Sequence, residues 1–435
     1  MPLRVTPLDE WIKEKTGAQD RVSLLSYQLE KFRETLAYAK KNSRIYREYF
    51  KNIEPDNIKT LDDVAQVPFT TADMLADSPM DLLCVSPDAI NRIVTLPTSG
   101  TTGPSKRVFF TADDQELTLD FFHRGMSLLA REGDRVMIFL PGETEGGVGD
   151  LLRRGLERLG CEGILYGPIM DYRAALQAIV ESGCACVVGL PAQLFALSRI
   201  GPEIRLKSAL LCSDYVSETV RRALENTWKC DVYGHYGMTE TGLGGGLECS
   251  ARAGYHMREA DLLFEIADPA TGFPAKDGES GEIVFTTLTR VGMPLIRYRT
   301  DDISRVIPEP CPCGSILRRF ERVSGRIRDA IRLGNGLTLT MPMLDEIVFS
   351  APGVIGYSAF VESAGADDGA ECALTINVFS EDGVQAERAI SEVVSRDAYL
   401  RNPIMDGQLK LEALKGGPEV LTYGNTKRRI IDKRR

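Results

Sequence analysis

The sequence predicts an α/β protein, with a large N-terminal part of stacked α/β subdomains and a small α+β domain at the C-terminal end. Three observations predict it. From 114 to 300 short apolar strands alternate with helices, the pattern of parallel sheets covered by helices on their faces. Around Gly325 the character changes, and the remainder runs helix, strand, strand, helix, strand and a basic tail. The length, 435 residues, exceeds what one compact core takes. The expected domains are 1–324 and 325–435.

Taken in order, residues 8–52 read as helical, because Leu24, Leu25, Tyr27, Leu29, Phe32, Leu36 and Ala37 recur at roughly helical spacing with charges between them. A stretch with Pro55, Pro68 and Pro79 follows, then a loop rich in glycine and hydroxyls. In the alternating region, helices are expected over 117–129, 148–159, 174–181, 194–200 and 217–227. Strands are expected over 135–140, 163–166, 186–190, 208–212 and 230–233. Ligands of such sheets bind beyond the strand C-termini, which singles out the loops after Cys212 and Tyr233. From Phe264 to Arg305 the text turns to strands with tight turns at Gly272, Gly278 and Gly281.

Composition narrows the function. Fifty-two basic against 62 acidic residues leave a net charge of −10, which argues against a general nucleic-acid or anionic-membrane binder. No membrane span is visible, and the N-terminal text lacks the apolar core of a signal peptide. Ten cysteines without an export signal point to a reducing cytoplasm, where metal binding or free thiols outrank disulfides.

The stretch that carries most chemistry is Thr98-Ser99-Gly100-Thr101-Thr102-Gly103-Pro104-Ser105-Lys106, between an apolar run and the strand-like Val108-Phe109-Phe110. Glycines let the backbone approach a ligand and turn N–H groups toward it, hydroxyls add donors, and Lys106 adds charge. Such a loop suits a phosphate chain, although the spacing is not that of a Walker loop. Four further stretches follow: Gly234-His235-Tyr236-Gly237-Met238-Thr239-Glu240-Thr241, Tyr298-Arg299-Thr300-Asp301-Asp302, Gly325-Arg326-Ile327-Arg328-Asp329, and Gly424-Asn425-Thr426-Lys427-Arg428-Arg429.

These five stretches, in this order, resemble the adenylate-forming superfamily along nearly the whole chain. Thr286 to Thr289, Pro294 to Arg299, Cys311-Pro312-Cys313-Gly314 and the ending Ile430 to Arg434 resemble its phenylacetate–CoA ligase branch. The resemblance implies a mobile C-terminal domain and a two-step reaction: an acid attacks ATP to give an acyl-adenylate and pyrophosphate, then the thiol of CoA displaces AMP. It implies that Thr98, Ser99, Gly100, Thr101, Thr102, Gly103 and Lys106 hold the β- and γ-phosphates. Thr239 would bind the α-phosphate and Glu240 a Mg²⁺ ion, while Tyr236, with Gly237 beside it, and Asp214 would meet the adenine. Asp302 would take the ribose hydroxyls with Arg326 nearby, and Lys427 would bridge the acid and the α-phosphate. The implied partners are a small carboxylic acid, ATP and CoA, with no nucleic acid and no membrane, and a homodimer is left open.

Cys249, His256, Cys311 and Cys313 form a Cys₃His set suited to a tetrahedral, structural zinc, with redox chemistry and plain buried thiols as rivals. The branch carries similar residues at these places. Three departures from the family pattern stand out: Pro104-Ser105 in the loop, Asp301 where the usual motif has glycine, and Arg328 at the hinge, where Asp or Lys is common. After the 135–140 strand the chain reads Pro141-Gly142-Glu143-Thr144-Glu145 in place of aromatic text. Two carboxylates in an acid pocket would favour an acid with an amine or other polar group; facing solvent, they would say nothing of the substrate. The rival functions keep the first half-reaction but pass AMP to a deazaflavin cofactor, or the acyl group to a carrier protein.

Overall fold

The structure, a computed structural model, describes residues 3–96, 105–202, 204–333, 336–364, 372–380, 383–421 and 428–434. It divides into two compact units. The first comprises Met1–Gly133, Gly142–Gly163 and Tyr233–Arg322; the second comprises Asp134–Pro141, Ile164–Val232 and Val323–Arg435.

In the first unit the N-terminal helical text becomes three helices, Pro7–Thr16, Arg21–Asn42 and Arg44–Tyr49. The breaks are chemical. Gly17 takes a left-handed φ of 72° and returns its N–H to Lys13, while Asp20 caps the next helix in a reciprocal box with Ser23. Ser43 ends the second helix and caps the third through Tyr46 N–H. Strands Arg92–Leu96 and Lys106–Phe110 pair antiparallel, with Leu96 opposite Lys106. Strands Leu262–Ala267, Gly281–Thr287 and Tyr298–Ser304 form an antiparallel sheet in that order. A second antiparallel ladder joins Tyr233 to Tyr236, Gly246–Glu248, Tyr255–Met257, Arg319–Phe320 and Val306–Ile307.

In the second unit, Arg135–Ile138, Cys186–Gly189 and Ser208–Leu211 run parallel, in register from Val136↔Cys186 and Val188↔Leu210. Helices Tyr172–Ser182, Pro191–Ile200 and Glu218–Trp228 belong to the same unit, as the alternating text requires. Beyond Val323, strands Leu409–Lys415, Cys372–Ser380, Val354–Ser363 and Ile431–Asp432 form one sheet in that order. Helix Ala398–Met405 is not expected from the sequence, because Pro403 lies inside it; Asp397 caps it at Leu400 N–H.

The residues beyond Val323 share one apolar core with the parallel strands: Phe195, Leu211 and Trp228 belong to the same cluster as Leu344, Phe349, Val354 and Leu374. The Phe195 and Phe349 rings lie 4.6 Å apart, and Tyr357 packs edge-on against Phe349 at 5.2 Å. Phe349→Ala removes a fully buried ring from this cluster. It should lower unfolding stability by about 3–5 kcal/mol, read as a reduced denaturant midpoint at an unchanged slope.

Candidate active site and cysteine–histidine cluster

In the first unit, strand Asp231–Tyr236 ends in the turn Thr239–Thr241, which presents Glu240. Gly237 is required on the way: a Cβ there would lie 2.5 Å from the Leu243 carbonyl oxygen and 2.8 Å from the His235 ring. Glu240 is buried, at 1% exposure, and its Oε1 meets Lys106 Nζ at 2.5 Å. The Tyr298 hydroxyl donates to the same oxygen at 3.0 Å and lies 3.4 Å from Lys106 Nζ. Burial pushes the Glu240 carboxyl up, but the charge and hydrogen bond of Lys106, with help from Tyr298, outweigh it and hold the group below its ordinary value. The site is a buried, charge-balanced carboxylate at a strand end.

At the last residue of the strand, three before the Glu240 turn, lies a second polar pair. The Tyr236 hydroxyl donates to Asp302 Oδ2 at 3.1 Å, and both residues are buried. The preceding Asp301 has φ 64°, the left-handed conformation that a glycine adopts freely and that aspartate tolerates better than most. Its N–H is held by Glu282 Oε1 at 2.9 Å, opposite a register shift in the neighbouring strand. Replacing the usual glycine therefore keeps the turn. His235 lies 5.9 Å from the Phe121 ring, and burial pushes its imidazole down to about 4, so it is neutral at pH 7.

Cys249, His256, Cys311 and Cys313 are brought together and buried, with all four donor atoms within 4.8 Å of one another. Cys249 Sγ and Cys311 Sγ are 3.6 Å apart, and Cys313 Sγ is 3.4 Å from His256 Nε2. A tetrahedral zinc with ordinary bond lengths spaces two sulfurs by about 3.8 Å and a sulfur and a nitrogen by about 3.6 Å. The donor set therefore fits the ion. Hydrogen bonding from Cys249 and then His256 overcomes burial and holds the Cys313 thiol well below its ordinary value. The N-terminal segment is hydrogen-bonded to these loops. Asp9, buried and paired with Lys13 at 2.6 Å, accepts hydrogen bonds from Ser315 Oγ at 2.6 Å and Ile316 N–H at 2.8 Å. Ser250, next to Cys249, both accepts from Arg4 N–H and donates to the Arg4 carbonyl.

The AMP-binding enzyme family matches residues 13–289. The chain belongs to that family. Among its relatives, a phenylacetate–CoA ligase of Aromatoleum evansii is 30% identical, with 81% of each chain covered. Another, from Thermus thermophilus, is 27% identical over 95% of this chain and 98% of its own length. In fold it is similar to a 2-hydroxyisobutyryl-CoA ligase solved with an acyl-AMP, with a TM-score of 0.79, 19% identity, and 94% of this chain and 90% of that one covered. These findings make it a member of the adenylate-forming superfamily in the phenylacetate–CoA ligase-like branch, and an AMP-forming acid–thiol ligase.

Of the residues expected at this ligase's site, the first unit unites Lys106 with Glu240, Tyr236 with Asp302, and the three cysteines with His256. Thr239 opens the Glu240 turn. Asp214 and Arg326 belong to the second unit. There Asp214 Oδ2 lies 3.5 Å from Arg428, whose guanidinium also reaches Asp345 Oδ2 at 2.5 Å between the Phe349 and Tyr357 rings. Burial first, and Asp214 in part, push the Asp345 carboxyl up to about 6 against the pull of Arg428. Thr98, Ser99, Gly100, Thr101, Thr102, Gly103 and Lys427 lie outside the described residues. Glu143 and Glu145 are exposed to solvent, which removes the argument for an acid carrying an amine. Tyr298 and Asp9 are the residues that sequence reasoning missed. Tyr298 opens one of the five stretches without a spacing that marks its hydroxyl, and Asp9 reads as an ordinary first-turn acid.

The Lys106–Glu240 pair makes a pH-dependent prediction. With its carboxyl held below 4.5, Glu240 contributes stability that is present above that value and lost as the pH falls through the folded one. Lys106→Met leaves a buried carboxylate without its countercharge, so burial alone then raises its pKa. The variant should be about 3 kcal/mol less stable near pH 7, and the gap should narrow on acidification as Glu240 takes a proton. Paired thermal melts from pH 7 to pH 4 measure it.

Proposed function

We propose that the chain activates a small aryl or other organic acid with ATP and transfers the acyl group to CoA. The observation that carries this reading is the buried Lys106–Glu240–Tyr298 cluster, one strand end away from the Tyr236–Asp302 pair. A carboxylate attacking a phosphate needs positive charge where negative charge accumulates. In the first step a carboxylate oxygen bonds to the α-phosphorus and the bond to the β-phosphate oxygen breaks, releasing pyrophosphate. In the second the CoA sulfur attacks the acyl carbon, losing its proton, and AMP leaves with the electron pair.

Each residue has a part. Thr98, Ser99, Gly100, Thr101, Thr102, Gly103 and Lys106 hold the β- and γ-phosphates, and Thr239 binds the α-phosphate. Glu240 would hold Mg²⁺, which neutralises charge on the phosphates as a hard, oxygen-seeking cation. Tyr236, Gly237 and Asp214 contact the adenine, and Asp302 and Arg326 the ribose. Lys427, in the proposed 325–435 domain, bridges acid and α-phosphate as a compact charge. Ten cysteines, all buried and none in a disulfide, support a cytoplasmic setting.

Pyrophosphate release across aryl, aryl-acetic and short aliphatic acids, with and without CoA, tests the reading. One acid class should give release together with a CoA-dependent thioester; release that ignores CoA would move the acyl or AMP group to another acceptor. Lys427→Ala should abolish adenylation and leave thioester formation from a supplied acyl-adenylate largely intact. Equal loss of both steps would remove Lys427 from its role.

We further propose that Cys249, His256, Cys311 and Cys313 hold one structural zinc. Purified protein should carry about one zinc per chain, and Cys313→Ser should lose it. Asp9→Ala, which frees the loop after Cys313 without touching a ligand, should speed transfer of the metal to a chromogenic chelator. Metal-free protein of full stability would overturn the proposal.

A further inference from the structure

We propose that Tyr298 is a positioning residue for the metal-binding carboxylate: its hydroxyl fixes Glu240 Oε1 so that the second oxygen is presented to the magnesium of MgATP. The proposal rests on the reading of Glu240 given above. Glutamate has three side-chain torsions, and this one is carried on a short turn, so its carboxylate needs outside support to hold one orientation. Both side-chain donors, Lys106 Nζ and the Tyr298 hydroxyl, converge on Oε1, and the residue's own N–H is a further donor to the carboxylate. The two differ in what happens when nucleotide arrives. Lys106 is a cation, and the phosphates compete for it. Tyr298 is neutral, so it can stay on the carboxylate without repelling a divalent ion.

The backbone around Tyr298 is unusually well held, as a positioning role requires. Arg297 takes φ 47° and is 1% exposed, with its guanidinium donating to the carbonyls of Ala65 and Val67 and stacked 4.2 Å from the Phe69 ring. Thr70 N–H reaches the Ile296 and Arg297 carbonyls, and Thr70 O accepts from Arg299 N–H at 3.1 Å. The Thr70 hydroxyl donates to the Ile296 carbonyl at 2.6 Å and meets the Tyr46 hydroxyl at 2.8 Å. The Tyr298 ring packs 5.4 Å from Phe285, its partner across the sheet. Backbone on both sides and ring below thus leave the hydroxyl one place to be.

Tyr298→Phe removes the hydroxyl and keeps the ring. Binding of ATP measured calorimetrically should weaken about tenfold in the presence of Mg²⁺, the scale of one hydrogen bond to a charged group, and stay within about twofold in EDTA. The Mg²⁺ midpoint of pyrophosphate exchange should rise by a similar factor. Thioester formation from supplied acyl-adenylate should not change. Equal weakening with and without Mg²⁺ would make Tyr298 a plain packing residue, and no weakening would remove it altogether. On a Glu240→Gln background the further change Tyr298→Phe should add nothing; an undiminished effect there would also overturn the proposal. If the unmodified enzyme itself binds ATP without regard to Mg²⁺, the reading of Glu240 fails instead, and the two failures are told apart.

Discussion

A carboxylate taken out of water must find charge and hydrogen bonds or give up its ionisation. Glu240 finds them in Lys106, 134 residues earlier, and in Tyr298, 58 residues later. Three separate pieces of chain therefore have to arrive in register: the strand that closes the hydroxyl-rich loop, the turn at the end of Asp231–Tyr236, and the first residue of Tyr298–Ser304. Much of the first unit can be understood as support for that meeting. Arg297, Thr70 and Tyr46 brace the third piece, and the five-residue antiparallel register Arg92↔Phe110 to Leu96↔Lys106 sets the first.

Polar contacts over long sequence separations recur through the same unit. Gln28 donates to the Glu259 carbonyl, Arg21 pairs with the Glu259 carboxylate at 2.7 Å, and Thr35 donates to the Leu288 carbonyl. The N-terminal helices are thus fastened to the antiparallel strands by buried or half-buried hydrogen bonds as well as by apolar packing. The Asp9 contacts extend this to the loops of the cysteine–histidine cluster. Charges placed so are costly alone and specific when matched, which suits a scaffold that must hold a few groups to within fractions of an ångström.

The second unit is arranged on different terms. Its core is apolar and continuous from the parallel strands into the residues beyond Val323. One polar cluster sits where a helix begins. Glu346 accepts from the Glu218 and Thr219 N–H groups and from the Ser217 and Thr219 hydroxyls, meeting the positive end of helix Glu218–Trp228. Arg428 is held by Asp214 and Asp345.

Whereas the two- and three-residue strands such as Gly246–Glu248, Tyr255–Met257 and Arg319–Phe320 are too short to carry a period, the sequence by itself determined the α/β class and the order of the helices and strands from 112 to 233. It also singled out Cys249, His256, Cys311 and Cys313 and the Lys106, Tyr236, Glu240 and Asp302 positions. Those features are local: strand and helix periods, glycine turns and clustered functional groups are written in neighbouring residues. Helix Ala398–Met405 escaped because the local signal of Pro403 pointed the other way while Asp397 and the core at Leu400 outweighed it. Asp301 departs from the usual glycine, and its φ of 64° is what lets aspartate stand in for it. Glu143 and Glu145 were ambiguous because a sequence does not say which way a loop faces; only the fold turns them to solvent. Tyr298 and Asp9 acquire their partners from residues 58 and 306 positions away, and no period or motif encodes a meeting of that kind. Such pairings exist only once the chain has folded, because burial is what makes a lone hydroxyl or carboxylate matter.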